Sequence, residues 1–277
     1  MLGDYAGLYR DFVTELRTDE ESLSLLREVG DDFHIAFPLQ SLGMVYTMLN
    51  RGAESVEALA ESIRIRRRIG DLSNLAFTLL SLDFVYIHQG RLSEADQLSD
   101  EVLAIHDEIG LTSTYPLVRL WKATIAFWRG DFDTAIAEVQ GVDQFEKEQT
   151  YIRVDTSDTI LSWVASMRGD YRLAYDLSQR RVLTTLPESD RLALALAACG
   201  LGDNSLAEKA IHDLLTDVPV AYSPTFQRMC LPVAAILAAR ANQPEWSAEL
   251  LGLASRAPRD QRLDGEMASR ERSAVSA

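Results

Sequence analysis

The sequence predicts an all-α chain of about six antiparallel helical hairpins, and three observations carry that prediction. Segments Glu28-Val29-Gly30-Asp31, Arg68-Ile69-Gly70-Asp71 and Glu108-Ile109-Gly110-Leu111 stand forty residues apart, as Leu42, Tyr46 and Asn50 do from Leu82, Tyr86 and Gly90. A second series runs Asn50, Gly90, Gly130, Gly169, Gly202 and Asn242, and five residues after each comes a small residue: Ser55, Ala95, Ala135, Ala174, Ala207 and Ser247. Apolar residues keep the 3.6-residue period of a helix, and alternation of period two is almost absent.

Each unit reads as two helices and a turn. Glycine and asparagine enter the left-handed backbone region cheaply, as the end of a first helix requires. The small residue then sits early in the second helix, where a larger side chain would push the pair apart. Ala76, Leu79, Leu80, Leu82, Val85 and Tyr86 form one apolar face, and Ala95, Leu98, Val102 and Ile105 form its partner.

Taken in order, residues 1–19 read as an irregular half-unit. Gly3-Asp4-Tyr5-Ala6 mimics a turn, but Gly3 to Gly30 is 27 residues where Asn50 to Gly70 and Gly90 to Gly110 are each 20. Residues 20–255 carry the repeats. Thr18 with Glu21, and Ser205 with Glu208, have capping-box spacing. Ser223-Pro224 places an N-cap before a first-turn proline, and Tyr115-Pro116 does so less well. Pro232, eight residues past Pro224, predicts a kink or a broken start. Residues 256–277 alternate sign with little apolar content and read as a polar, disordered tail.

Leu42-Gly43 with Tyr46, Asn50 and Ser55, then Leu82, Tyr86, Gly90 and Ala95, then Gly130-Asp131-Phe132 with Ala135 and Gly169-Asp170-Tyr171 with Ala174, together resemble the tetratricopeptide repeat in its longer, roughly forty-residue variety. The resemblance implies a right-handed superhelical solenoid that binds proteins or peptides. Asp83, after Leu82, and Lys122, at a normally apolar position, depart from the pattern and put local packing in question. The strings SLLREVGD, RIRRRIGDLSNLAFTLLSLD and WSAELLGLASRAP look like the carboxy-terminal repeat arms of bacterial signal-transducing ATPases and transcription regulators. No phosphate-cradling G-x-x-x-x-G-K-[ST] accompanies them, so that likeness implies a sensor arm without its engine.

Composition narrows the partners. The net charge of −15 opposes direct nucleic-acid binding, which needs a basic stripe. No apolar run reaches the ~18 residues of a membrane span. Two cysteines, Cys199 and Cys230, lie in apolar stretches, which fits a reducing cytoplasm and no disulfide scaffold.

Nothing in the sequence assembles a catalytic or cofactor site. His34, His88, His106 and His212 share no metal-ligand spacing, and adjacent residues such as His106-Asp107-Glu108 diverge around a helix. Asp131 and Asp133 read as helix-start carboxylates. Cys199 has only Ala197, Ala198 and Gly200 beside it. Arg64, Arg66, Arg67 and Arg68 read first as cations opposing a helix C-terminal dipole. Their second reading is a docking patch for an acidic partner, in which Arg64 and Arg68, one turn apart, share a carboxylate or phosphate.

The expected function is therefore binding without catalysis, metal or cofactor. The resemblance implies a concave groove lined by the second, fifth, ninth, twelfth and thirteenth positions of each first helix. Its binding residues would be Phe37, Met44, Phe77, Phe84, His88, Leu120, Phe127, Trp128, Trp163 and Met167, alongside Gln40, Thr47, Met48, Leu80, Ile87, Leu117, Thr124, Thr156, Thr159 and Ser166. Aromatic and methionine side chains there offer adaptable apolar contact, and the alternative is that they pack between hairpins as core. A second function class is an arm that self-associates or docks inside a larger regulator.

Overall fold

The computed structural model describes residues 12–49, 51–110, 112–148, 156–179, 187–216 and 224–255. Its described residues form helices and short turns, with no strand among them. The helices are α1 (Phe12–Val29), α2 (Asp32–Met48), α3 (Gly52–Ile69), α4 (Leu72–Gln89), α5 (Leu92–Ile109), α6 (Tyr115–Trp128) and α7 (Phe132–Glu148). After them come α8 (Thr156–Arg168), α9 (Tyr171–Ser178), α10 (Pro187–Leu201), α11 (Asn204–Thr216), α12 (Pro224–Arg240) and α13 (Pro244–Ser255). Helices α2 to α13 pair as six successive hairpins, and α1 packs on α2.

The turn chemistry explains where the helices stop and restart. Gly90, Gly130, Gly169, Gly202 and Asn242 all have φ between 59° and 82°, so each enters the left-handed region at the predicted place. Asn50 lies outside the described residues. Gly30, Gly70 and Gly110, between hairpins, do the same. An aspartate usually follows at once and caps the next helix. Asp31, Asp71, Asp131, Asp170 and Asp203 each accept the backbone N–H three residues on, at 3.1–3.3 Å. At positions 51 and 91 an arginine follows the turn residue instead and takes a different part. Arg51 and Arg91 sit over the Tyr46 and Tyr86 rings at 4.4 and 3.8 Å and pair with Glu54 and Glu94.

The small residues lie where the helices cross. Ser55, Ala95, Ala135, Ala174, Ala207 and Ser247 have no solvent contact. Gly43 extends the same logic, because a Cβ there would run into the Leu59 side chain. Gly200 does likewise against the Tyr171 ring.

Several start signals resolve differently from the sequence expectation. Helix α1 runs from Phe12 straight through the proposed boundary at residue 20, and Thr18 donates to the Thr14 carbonyl (2.9 Å) as a mid-helix residue. Asp203 caps α11 in place of Ser205, and Thr114 precedes α6 with Pro116 in its first turn. Helix α12 starts at Pro224 as predicted, but it does not break at Pro232. Ser223, residues 1–11 and residues 256–277 lie outside the described residues.

First helices of successive hairpins touch one another: α2–α4, α4–α6, α6–α8, α8–α10 and α10–α12. Helix α12 also reaches back to α4. The largest hydrophobic cluster accordingly runs from Ile87 on α4 through Phe127, Trp163 and Leu192 to Val233 and Leu237 on α12.

Candidate functional site

The predicted binding stripe divides into two groups. Phe37 and Phe77 occupy the opening turns of α2 and α4 at equivalent positions and are 42% and 39% exposed. Met44 and His88 are half-buried. Phe84, Leu120, Phe127, Trp128, Trp163 and Met167 are buried, and the last five share the largest cluster. Within it, Phe127 lies 5.3 Å from Trp128 and 5.4 Å from Trp163, between ring centroids. Phe84 stacks on His88 at 3.9 Å and meets Trp121 at 5.6 Å. Those rings fill the space between first helices. The structure therefore brings the aromatic end of the stripe together as packing and leaves Phe37 and Phe77 facing solvent. Phe33, absent from the predicted set, adds a third exposed ring and meets Phe37 edge-on at 5.5 Å. It stands one turn before Phe37, a spacing the sequence displays openly.

The two departures from the repeat pattern each find a polar partner. Asp83 has no solvent contact and accepts from Ser99 Oγ at 2.5 Å. Burial pushes its pKa up to about 7, against the Ser99 hydrogen bond. Lys122 binds Asp96 and Asp100 at 2.8 and 2.7 Å, tying α6 to α5, and Arg129 joins it on Asp96. The His88 Nδ1–H donates to the Phe84 carbonyl at 2.8 Å, and burial holds its pKa down at about 4.

The basic cluster also resolves residue by residue. Arg67 binds Glu101 through both carboxylate oxygens at 2.7 Å. Forty residues earlier, Arg27 binds Glu61 in the same way at 2.8 and 2.9 Å, so this pair is a repeated tie between successive second helices. Arg68 goes to Asp32 and Arg64 to its own helix's Ala60 carbonyl, so these two do not converge on a shared anion. Arg66 alone is fully buried, and none of its three nitrogens has a hydrogen-bond partner.

The other tempting groups are held in local structure. Asp131 caps α7 through Thr134, while Asp133 pairs with Arg168 across to α8. The His106 ring packs on Tyr115, 4.9 Å between centroids. Arg240 donates to the Cys199 carbonyl at 2.8 Å, and burial pushes the Cys230 thiol up to about 12. Among the described residues no His, Cys, Asp or Glu group is arranged to hold a metal ion, and no helix is long and apolar enough to cross a membrane. No protein-family model matches the chain, and no curated protein matches it in sequence.

Proposed function

We propose that this chain is a non-catalytic scaffold that captures a protein or peptide segment on a right-handed, tetratricopeptide-like solenoid. The six hairpins, the touching first helices and the left-handed turn residues support that architecture. A cytoplasmic sensor arm of a bacterial regulator is the setting that fits it. The observation carrying the binding reading is the exposure of Phe37 and Phe77 at equivalent positions of consecutive units. Isolated exposed apolar residues need no explanation, but the same exposed ring recurs in consecutive units, and Phe33 enlarges the first of them. The accessible part of the proposed surface is Phe37, Phe77 and the half-buried Met44.

A photo-crosslinking amino acid at position 77, compared with one at exposed Gln140, tests this reading. The reading expects a discrete cross-linked partner only from position 77. Equal or absent capture at both positions contradicts it. A structural arm without a separate ligand is the second reading, favoured by the packing of Phe127, Trp128 and Trp163 into the core. A concentration-dependent dimer by light scattering would support that reading.

A further inference from the structure

We infer that Arg66 is a covered anchor for an acidic side chain carried by an apolar segment of the partner. The inference rests on the peptide-binding reading above and names the chemistry that such a partner must present. The guanidinium has no solvent contact, and Nε, Nη1 and Nη2 all lack hydrogen-bond partners. Five N–H donors are thus withdrawn from water with no acceptor supplied, an arrangement that folded proteins avoid because each orphan carries a desolvation cost. Burial accordingly pulls the Arg66 pKa down, opposed by the charge of Asp71. Asp71 does not bond to it, because its carboxylate oxygens accept from the Asn74 backbone N–H and side-chain amide.

The Phe37 ring lies over the guanidinium, 4.8 Å from the guanidinium carbon to the ring centroid. That ring is itself 42% exposed, so Arg66 lies one side chain below the surface. A cation–π contact offsets part of the burial and leaves the in-plane N–H groups unused. The movement the anchor requires is a turn of the Phe37 side chain about its own torsions, a change that needs no helix displacement.

The repeat itself shows that the fold does not call for a cation here. Forty residues earlier the same position is Leu26, packed against the hydrophobic cluster of the first hairpin. Forty residues later it is His106, whose ring packs on Tyr115. An apolar side chain would satisfy the packing, so the buried charge stands against stability and in favour of a ligand. The neighbouring arginines are engaged with Glu101, Asp32 and a helix carbonyl, which leaves Arg66 as the unanswered donor. Phe37, with Phe33 edge-on against it at 5.5 Å, supplies exposed apolar surface beside the guanidinium. The complementary partner is an extended or helical segment with one aspartate or glutamate between large apolar residues. Its carboxylate would bridge the guanidinium nitrogens in the planar, two-pronged geometry that arginine favours.

The test uses the full chain and the peptide acetyl-Leu-Phe-Glu-Leu-Phe-amide, with the Glu-to-Gln peptide as its control. The Arg66 Nε–H resonance, assigned by its loss in Arg66→Met, reports on the site. We expect the Glu peptide to shift it saturably and to bind about tenfold more tightly than the Gln peptide. That preference would run against the overall charge of −15, which repels acidic ligands. Arg66→Met should erase the preference without lowering the melting temperature. Arg66→Gln keeps a polar stem and serves if the methionine variant fails to fold. Equal binding of the two peptides, binding of neither, or a preference that survives in the Arg66 variants overturns the inference. If position 77 still cross-links a partner in that event, the binding reading stands and only the acidic anchor falls.

Discussion

The first two turns of α2 and α4 and the later turns of α6 and α8 hold the same kinds of side chain and treat them oppositely. Phe37 and Phe77 face solvent, whereas Phe127, Trp128, Trp163 and Met167 are buried. The repeat pattern assigns all six to one surface. The difference arises from what packs on each end of the first helices. The later turns are enclosed by neighbouring first helices and join a cluster that extends to α12, which also reaches α4. The first two turns lie beside the tight glycine turns, where a new helix has just begun. A position in a repeat therefore specifies a direction on its helix, and the neighbours decide whether that direction ends in solvent or in core.

The largest expected effect lies in the enclosed region. Phe127→Ala and Trp163→Ala should each cost about 3–5 kcal/mol, the range for deleting a buried aromatic ring. Phe77→Ala should stay within about 0.5 kcal/mol of the parent chain in denaturant melts, as exposed substitutions usually do, and Phe37→Ala, which also strips Arg66 of its cation–π ring, should fall between that and the buried rings. Comparable losses in both pairs would erase the distinction. Overpacking comes next. Ala135→Leu should destabilise by about 1–3 kcal/mol, since Ala135 has no room around it at the α6–α7 crossing. Exposed Gln140→Leu is the proper comparison.

A smaller effect concerns pH. Asp83 has its folded pKa raised from 3.8 to about 7 by burial, so it favours folding while protonated. Its contribution is complete below pH 3.8 and is lost as pH rises through about 7. His88, held down from 6.5 to about 4, acts with the opposite sign over part of that window. Asp83→Asn should gain stability over the parent progressively from pH 3.8 to about 7 and then level off, read from melting temperatures. A constant difference would place the titration elsewhere. The smallest change is Asp131→Ala, which removes the α7 cap and should lower the melting temperature slightly in the same melts.

The hairpins were legible in the sequence because the requirements that create them are local. A left-handed turn admits few residue types, and a close crossing admits only small ones, so both leave a fixed spacing. The Gly-Asp pairs were visible too, although their general use as stop and start signals emerged only once Asp31, Asp71, Asp170 and Asp203 were seen capping. Thr18 and Ser205 misled because capping-box spacing also occurs inside helices and one turn late. The fate of the aromatic stripe was not legible, because burial of Trp128 and Trp163 depends on helices far along the chain. Arg66 was hidden for a related reason: it stands among three other arginines, and only the packing of Phe37 over it sets it apart.

The most direct measurement of the division between accessible and enclosed aromatics is covalent footprinting of the native chain with a small radical label, read residue by residue by mass spectrometry. The account predicts rapid labelling of Phe33, Phe37 and Phe77 and strong protection of Phe127, Trp128 and Trp163, despite the greater intrinsic reactivity of indole rings. Labelling of Trp128 and Trp163 as fast as Phe37 would show an open aromatic groove and contradict it.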